Sequence, residues 1–303
     1  MNPIDQVESD IKNLRIQGAT NVALAVLDAL EKTIVNTPAI TPEALKDLGT
    51  RLAYARPTEP LAQNALRYIF TDQLQDARAI KEKVATYKSF VTDAKKAITG
   101  HGSALMHDGA TYLTHCHAST VTNVFLNAHR EGKHIRVIAT ETRPLMQGRI
   151  TIKELLDGGI EDVTMIIDSA AASILSDPAR TISAVLIGAD LLSEHGFVNK
   201  IGSLSIVIAA HARNIPVYCF STLLKYDPGL FTPALIETRD PKEIWPDAPQ
   251  NLTMYAPAFD YTPYSPDVTV VCEAGTIKGD IVKHTALNQY PFLNQTNTAP
   301  VPQ

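Results

Sequence analysis

Thr114-His115-Cys116-His117-Ala118-Ser119-Thr120 is entered by the apolar and β-branched run Ala110-Thr111-Tyr112-Leu113 and left by a helical stripe of Val121, Val124, Phe125 and Ala128. The apolar spacing changes there from that of a strand to that of a helix. Cys116 therefore stands in a strand-to-helix turn, a place that opens side chains to a ligand. Ser119 and Thr120 are natural N-cap residues, and the amides of a helix's first turn attract anions. A thiol whose pKa is lowered at such a turn would suit proton transfer on a phosphorylated substrate. Read alone, Cys116 is equally well a small buried hydrophobe.

Downstream, the same texture repeats. Strands are expected at Ala110 to His115, His134 to Thr140, Asp162 to Asp168, Ile182 to Asp190, Pro216 to Ser221 and Val268 to Glu273, with helices such as Ile150 to Gly158 and Gly202 to Arg213 between them. This alternation specifies a mainly parallel, Rossmann-like sheet with helices on both faces. Ligands in such folds sit beyond the carboxyl ends of the strands. Polar clusters fall at those ends: Cys116 with its neighbours, Glu141-Thr142-Arg143-Pro144, and Gly188-Ala189-Asp190. The segment from Asp227 to about Tyr264 is rich in proline, aromatic and acidic residues and reads as a long excursion.

Upstream the chain is helical. Apolar residues at Val7, Ile11 and Leu14, then Val22, Val26, Leu27, Leu30 and Ile34, give two helices broken near Gly18. Thr41-Pro42-Glu43 caps a third. Pro57 interrupts the pattern at Arg56, and a long amphipathic helix through Leu74, Val84, Tyr87, Val91 and Ile98 ends at Gly100-His101-Gly102. The expected organisation is α/β: a helical N-terminal domain over 1–102 and a Rossmann-like C-terminal domain over 103–303, with a frayed tail from about 294.

Of the 303 residues 45% are hydrophobic, enough for a substantial core, and the net charge of -5 argues against nucleic acid or an anionic membrane as the main partner. Cys116, Cys219 and Cys272 form no CxxC pair, so neither a disulfide framework nor a structural zinc site is indicated. With no apolar run of membrane-spanning length and no basic-then-apolar leader, a soluble cytoplasmic protein is expected.

Asp190 closes the apolar run Ala184-Val185-Leu186-Ile187, and burial there would suit it to exchange protons near neutral pH; it reads also as a turn cap. Asn199-Lys200-Ile201-Gly202-Ser203 resembles a phosphate cradle in kind without being a P-loop. Arg56, Arg143 and Lys225 are candidate phosphate ligands or ordinary surface cations, and Gln147 can offer a neutral hydrogen bond to sugar hydroxyls or cap a helix. His115 and His117 flank the thiol, but in extended chain they point away from it and no third ligand follows, so no metal is expected. The first strand lacks a GxGxxG, which argues against a dinucleotide, and no GxSxG supports a serine hydrolase.

Taken in order, THCHASTV, ATETRPLMQGR, IIDSAA, VLIGADLL and NKIGS, with ARPTEPLAQNALRY, LLKYDP and APAFDYTP, resemble the superfamily of ribose-1,5-bisphosphate isomerase, methylthioribose-1-phosphate isomerase and the alpha, beta and delta subunits of translation initiation factor 2B. The resemblance covers nearly the whole chain. It implies an aldose-ketose isomerase acting on a phosphorylated pentose, ribose 1,5-bisphosphate to ribulose 1,5-bisphosphate. Cys116 and Asp190 would be the acid-base pair, with no metal, nucleotide cofactor or prosthetic group. By the same resemblance Arg56, Gln147, Asn199, Lys200 and Lys225 would hold substrate, Gln17, Gly18 and Ala19 would stand at its phosphate, and the protein would form a homodimer or hexamer; Ser119 and Arg143 join the candidate substrate-binding set from their places beyond the strand ends. These isomerases typically carry Arg-Gly-Ala where this chain has Gln17-Gly18-Ala19. Losing that charged bond would cost roughly 1 to 3 kcal/mol in phosphate binding. The alternatives are a non-catalytic regulatory subunit of the initiation-factor type and a methylthioribose-1-phosphate isomerase, which keeps the chemistry and changes the group at C5.

Overall fold

The computed structural model describes residues 3–71, 76–229 and 231–294. Leu74, expected on the long helix, and the tail beyond Asn294 lie outside them. The chain opens with α1 (Pro3–Lys12), α2 (Ala19–Asn36), α3 (Pro42–Ala53), α4 (Pro60–Ile69) and α5 (Ala77–Ala104). The Thr41 hydroxyl accepts from the Ala44 amide at the start of α3, and Pro60 starts α4 at a position where its missing amide is no loss. The helix expected to stop at Gly102 continues to Ala104. Gly102 is a packing residue: a Cβ there would come within 2.5 Å of Val124 and 2.6 Å of Phe220.

The expected strands all form, each shorter than its sequence run: β1 (Thr111–Thr114), β2 (Arg136–Thr140), β3 (Val163–Ile166), β4 (Ala184–Gly188), β7 (Val217–Phe220) and β9 (Val268–Cys272). The intervening helices are α6 (Ser119–Arg130), α7 (Gly148–Asp157), α8 (Ala171–Ser176) and α9 (Ser203–His211), with α10 (Val282–Gln289) closing the chain. Three more strands follow from no clear periodicity: β5 (Leu191–Leu192), β6 (Gly196–Lys200) and β8 (Phe259–Pro263) make an antiparallel second sheet in the order β5-β6-β8. The stretch read as an excursion therefore ends in a strand. A short β10 (Gly275–Lys278) runs antiparallel to β9 at one edge of the main sheet, whose order is β10-β9-β7-β4-β1-β2-β3.

That order has a consequence for function. From β1 the chain builds outward through β2 to β3, then returns to lay β4 on the other side of β1, with Thr114 paired to Leu186. Successive strands thus leave in opposite directions from the β1/β4 seam, and the cleft opens at that switch point. One core runs without interruption from Ile11, Leu27, Leu52, Leu61 and Tyr87 in the helices to Val185, Ile187, Phe197 and Val270 on the sheet side. The other face of the sheet buries Ile98, Tyr112, Phe125, Val137, Leu155 and Phe220. α5 contributes to both, so the helical part is fastened to the sheet along its last helix.

Candidate active site

Cys116 and Asp190 follow the adjacent strands β1 and β4, and the backbone brings their turns together. Gly188 makes this approach possible, since a Cβ there would stand 2.7 Å from the Ala118 methyl. Cys116 has φ 66, a conformation costly for any side chain, and a chain of hydrogen bonds holds it. Its amide donates to Thr142 Oγ1 (2.9 Å), which lies 3.1 Å from Thr140 Oγ1, itself 2.7 Å from His115 Nδ1; His115 Nε2 lies 2.9 Å from the Ile201 carbonyl. Burial pushes His115 below the ordinary imidazole range, so the ring is neutral. Because a carbonyl can only accept, Nε2 carries the proton, and Thr140 donates to Nδ1. His117 turns the other way, with Nδ1 3.1 Å from Thr151 Oγ1, while Thr151 donates to the Cys116 carbonyl (3.0 Å). The two imidazoles are thus structural partners of the turn, and Cys116 is not in the extended conformation the sequence suggested.

The thiol departs from expectation more sharply. Its pKa is pushed up to about 11, because burial outweighs the favourable charge of Lys200, and Asp190 and Asp168 add to the rise. Cys116 is 7% exposed, and at neutral pH it is a protonated thiol. The reason lies in the helix end. Ser119 and Thr120 are the first residues of α6 rather than its cap; Ala118 takes the cap position and offers no side-chain bond. Sγ instead donates to Gln147 Oε1 at 3.5 Å, and Gln147 Nε2 donates to Gln17 Oε1 at 3.3 Å. Gln17, on the bend whose Gly18 has φ 83, donates in turn to the Leu14 carbonyl (2.7 Å). Gln17 is therefore joined to the thiol through the neutral amide of Gln147, and Gly18 and Ala19 follow it at the start of α2.

The cradle expected at Asn199 to Ser203 is already filled. Asp260, facing Asn199 across β6 and β8, accepts from the amides of Gly202 (2.7 Å) and Leu204 (3.1 Å) at the start of α9. Burial nevertheless raises its pKa to about 6. Asn199 donates to Ser203 Oγ (2.8 Å), and Lys200 rests its ammonium 4.8 Å from the centre of the Phe259 ring. The wall formed by α4 is almost wholly buried. Asn64 donates to the carbonyls of Leu224 (2.7 Å) and Tyr226 (2.9 Å), which fixes Lys225 so that its ammonium donates to the Ala189 carbonyl at 2.6 Å, beside Asp190.

Arg56 reaches this wall but stands in a cage of carboxylates: Nε donates to Glu237 Oε1 (2.7 Å) and Nη2 lies 3.2 Å from Glu59 Oε1. Phe259 covers the guanidinium at 5.8 Å. Burial opposes the charge on Arg56, but Glu59, Glu237 and Asp190 outweigh it and hold its pKa above the ordinary value. Glu59 is wholly buried and fares differently: desolvation exceeds what Arg56 returns, and its pKa rises to about 7. Arg143 is exposed at the rim, 3.5 Å from the Ile244 carbonyl, and its own amide and that of Thr142 both donate to Asp168 at 2.7 Å. Thr142 falls in one of the polar clusters expected at the strand ends, whereas Glu59, Asp168, Glu237 and Asp260 are not among the residues expected at the site. Asp168 was findable, since it closes β3 as Asp190 closes β4. Glu237 lies 181 residues from Arg56 and had no local signal.

The profile of the initiation factor 2 subunit family matches residues 15–279. The chain belongs to this family. A family relative from Methanocaldococcus jannaschii, named ribose 1,5-bisphosphate isomerase, is 32% identical over 289 residues, covering 91% of this chain and 92% of that protein. One from Moorella thermoacetica, named 5-deoxyribose 1-phosphate isomerase, is 31% identical over 91% of this chain and 86% of its own. Among solved structures, translation initiation factor eIF-2B of Pyrococcus horikoshii superposes with TM-score 0.79 at 24% identity, covering 92% of this chain and 98% of that one. At that identity the likeness concerns the family's fold, a helical N-terminal part ahead of a mostly parallel sheet.

Proposed function

We propose that this chain is an aldose-ketose isomerase that converts ribose 1,5-bisphosphate to ribulose 1,5-bisphosphate. The observation that carries this reading is the juxtaposition of a protonated, buried thiol and a carboxylate at the β1/β4 switch point. The names of several isomerase relatives over nine-tenths of the chain support it.

A sugar phosphorylated at C1 has no free hemiacetal, so ring opening needs a proton delivered to the ring oxygen. Cys116 supplies it as the C1–O4 bond breaks, and Lys200 stabilises the resulting thiolate. Asp190 takes the proton from C2, and the electron pair of that bond forms the C1–C2 double bond of an enediol phosphate. Asp190 then returns its proton to C1 while the C2 hydroxyl gives up its own to the thiolate, leaving the ketone at C2. Protons and charge balance over the cycle, and both groups end as they began. Gln147 orients the thiol, Lys225 stands beside Asp190 through the Ala189 carbonyl, and Arg56, Arg143, Asn199 and Ser119 complete the substrate wall.

A second reading keeps the chemistry and replaces the C5 phosphate by a neutral group, as in 5-deoxyribose 1-phosphate or methylthioribose 1-phosphate. The neutral link from Gln17 to Gln147 favours it. Turnover of all three sugars followed side by side by NMR decides between them, with Cys116→Ser and Asp190→Asn as controls. Ribulose 1,5-bisphosphate formed by the parent and by neither variant supports the first reading; conversion of only the C5-neutral sugars supports the second. Conversion of none, in folded protein, leaves the regulatory-subunit reading.

The described cysteines are all free and buried, as suits a reducing cytoplasm, and no described helix is long and apolar enough to cross a membrane. Met165 and Ile167 on the edge strand β3 and its exit, with Leu156 and Ile150 on α7, are exposed apolar residues and support a homodimer through this edge. Light scattering on Met165→Lys, expected monomeric against a dimeric parent, tests it.

A further inference from the structure

Two carboxylates face one guanidinium at Arg56, and they are not equivalent. Glu59 occupies the N-cap position of α4, three residues from Arg56, and its side chain is 3% exposed. It belongs to the wall. Glu237 comes from the segment between Tyr226 and β8, its side chain is 19% exposed, and it reaches Arg56 from outside the α4 wall. Its backbone is held by the Ala258 amide on its carbonyl, the bridge from Thr238 to Pro257 and the Arg239 amide on the Ala256 carbonyl, but beyond Arg56 its carboxylate has only a 3.5 Å contact with Thr58 Oγ1 among the described residues. Yet Glu237 takes the Nε face of the guanidinium, a face that a phosphate would need for a paired hydrogen bond.

We propose that Glu237 is a built-in competitor for the substrate's anionic group at Arg56, exchanged for phosphate on binding while Glu59 keeps the guanidinium in place. This rests on the isomerase reading for the identity of the substrate, but not for the competition itself. A carboxylate and a phosphate oxygen satisfy the same N–H donors, so the exchange conserves the hydrogen bond and replaces a single negative charge by one nearer two. A neutral hydroxyl cannot displace Glu237 on those terms. The arrangement therefore selects for a doubly charged group at this wall, a selectivity that Gln17 does not provide on the other side.

The test is a phosphorus NMR titration of the full chain with inorganic phosphate, beside kinetics with ribose 1,5-bisphosphate. Glu237→Gln keeps an acceptor for Arg56 and removes the charge. It is expected to bind phosphate about 5- to 20-fold more tightly than the parent, with kcat/KM raised in the same direction. Glu237→Ala, which removes the side chain, should tighten phosphate as well, and adding Arg56→Lys to both the parent and the Glu237→Gln variant should abolish the difference between them. Thermal melting confirms that each variant is folded. Phosphate affinity in Glu237→Gln no tighter than in the parent, including binding by neither, overturns the proposal. A parent that turns over no sugar while Glu237→Gln still tightens phosphate overturns the isomerase reading and leaves the competition standing.

Discussion

Cys116 and Glu59 are both buried beside the same cleft, and burial raises the pKa of each. The consequences are opposite. For the thiol the shift removes nothing at neutral pH: the group stays a neutral acid, and S–H donation to Gln147 suits that state. For the carboxyl the shift to about 7 leaves the charge in contest, with Arg56 and Lys225 favouring ionisation and Asp190 and Glu237 opposing it. One wall of the cleft is thus a set of neutral hydrogen bonds running from Gln17 to Ile201, and the other a knot of charges drawn from distant parts of the chain. On the proposed reading the neutral wall would hold the proton and the charged wall the anion.

If the neutral wall supplies the acid and Asp190 the base, removing either should be the largest effect in the molecule. Cys116→Ser and Asp190→Asn are each expected to lower kcat by about 10³-fold or more, roughly 4 kcal/mol, with melting temperatures near that of the parent. A loss of only a few-fold in either would break the assignment of roles.

The charged wall should show itself in stability against pH. Glu59 has an ordinary pKa of 4.5 when unfolded and about 7 when folded. Below the lower value both states hold the proton and nothing is lost. As pH rises through the window to about 7, the unfolded chain ionises first, so the stability associated with Glu59 is lost and stays lost above it. Glu59→Gln cannot ionise and should gain on the parent across that window by on the order of 1 to 3 kcal/mol, read by urea unfolding at pH 5 and pH 8. Asp260, raised to about 6, pulls the same way in both proteins and drops out of the difference. A difference that is flat with pH would show that Arg56 keeps Glu59 charged throughout.

Smaller effects sharpen the contrast. Gln147→Ala removes the acceptor of the thiol proton and the link to Gln17, and should cost about 10-fold in kcat/KM, roughly 1.4 kcal/mol. Asp260→Ala uncaps α9 and should lower stability by about 1 kcal/mol with little change in KM, since the amides it occupies are not an anion seat for substrate.

The same contrast explains what could be read from the sequence. β1, β2, β4 and β7 are runs of β-branched and apolar residues buried on both sides, and such runs announce themselves. Cys116 and Asp190 were legible because they close two of them. β5 spans only Leu191–Leu192, and β8 lies behind a proline-rich stretch, so the second sheet had no periodicity to display. The thiol's state was misread because a helix start predicts a depressed pKa only where the amides face the sulfur in a polar setting; here burial dominates. Arg56 was recognised as a cation near the site, but its carboxylate cage depends on Glu237, brought in by β8 and the bridge beside it.

The most direct test of the acid role is the pH dependence of kcat/KM for ribose 1,5-bisphosphate, which reports the ionisation of the free protein. With Cys116 at about 11, activity should show no alkaline decline attributable to the thiol between pH 7 and roughly 10, and iodoacetamide should alkylate Cys116 slowly across that range. An alkaline limb near the ordinary thiol value of about 8.5, shared by the alkylation rate, would contradict a protonated donor and make the thiolate the working form.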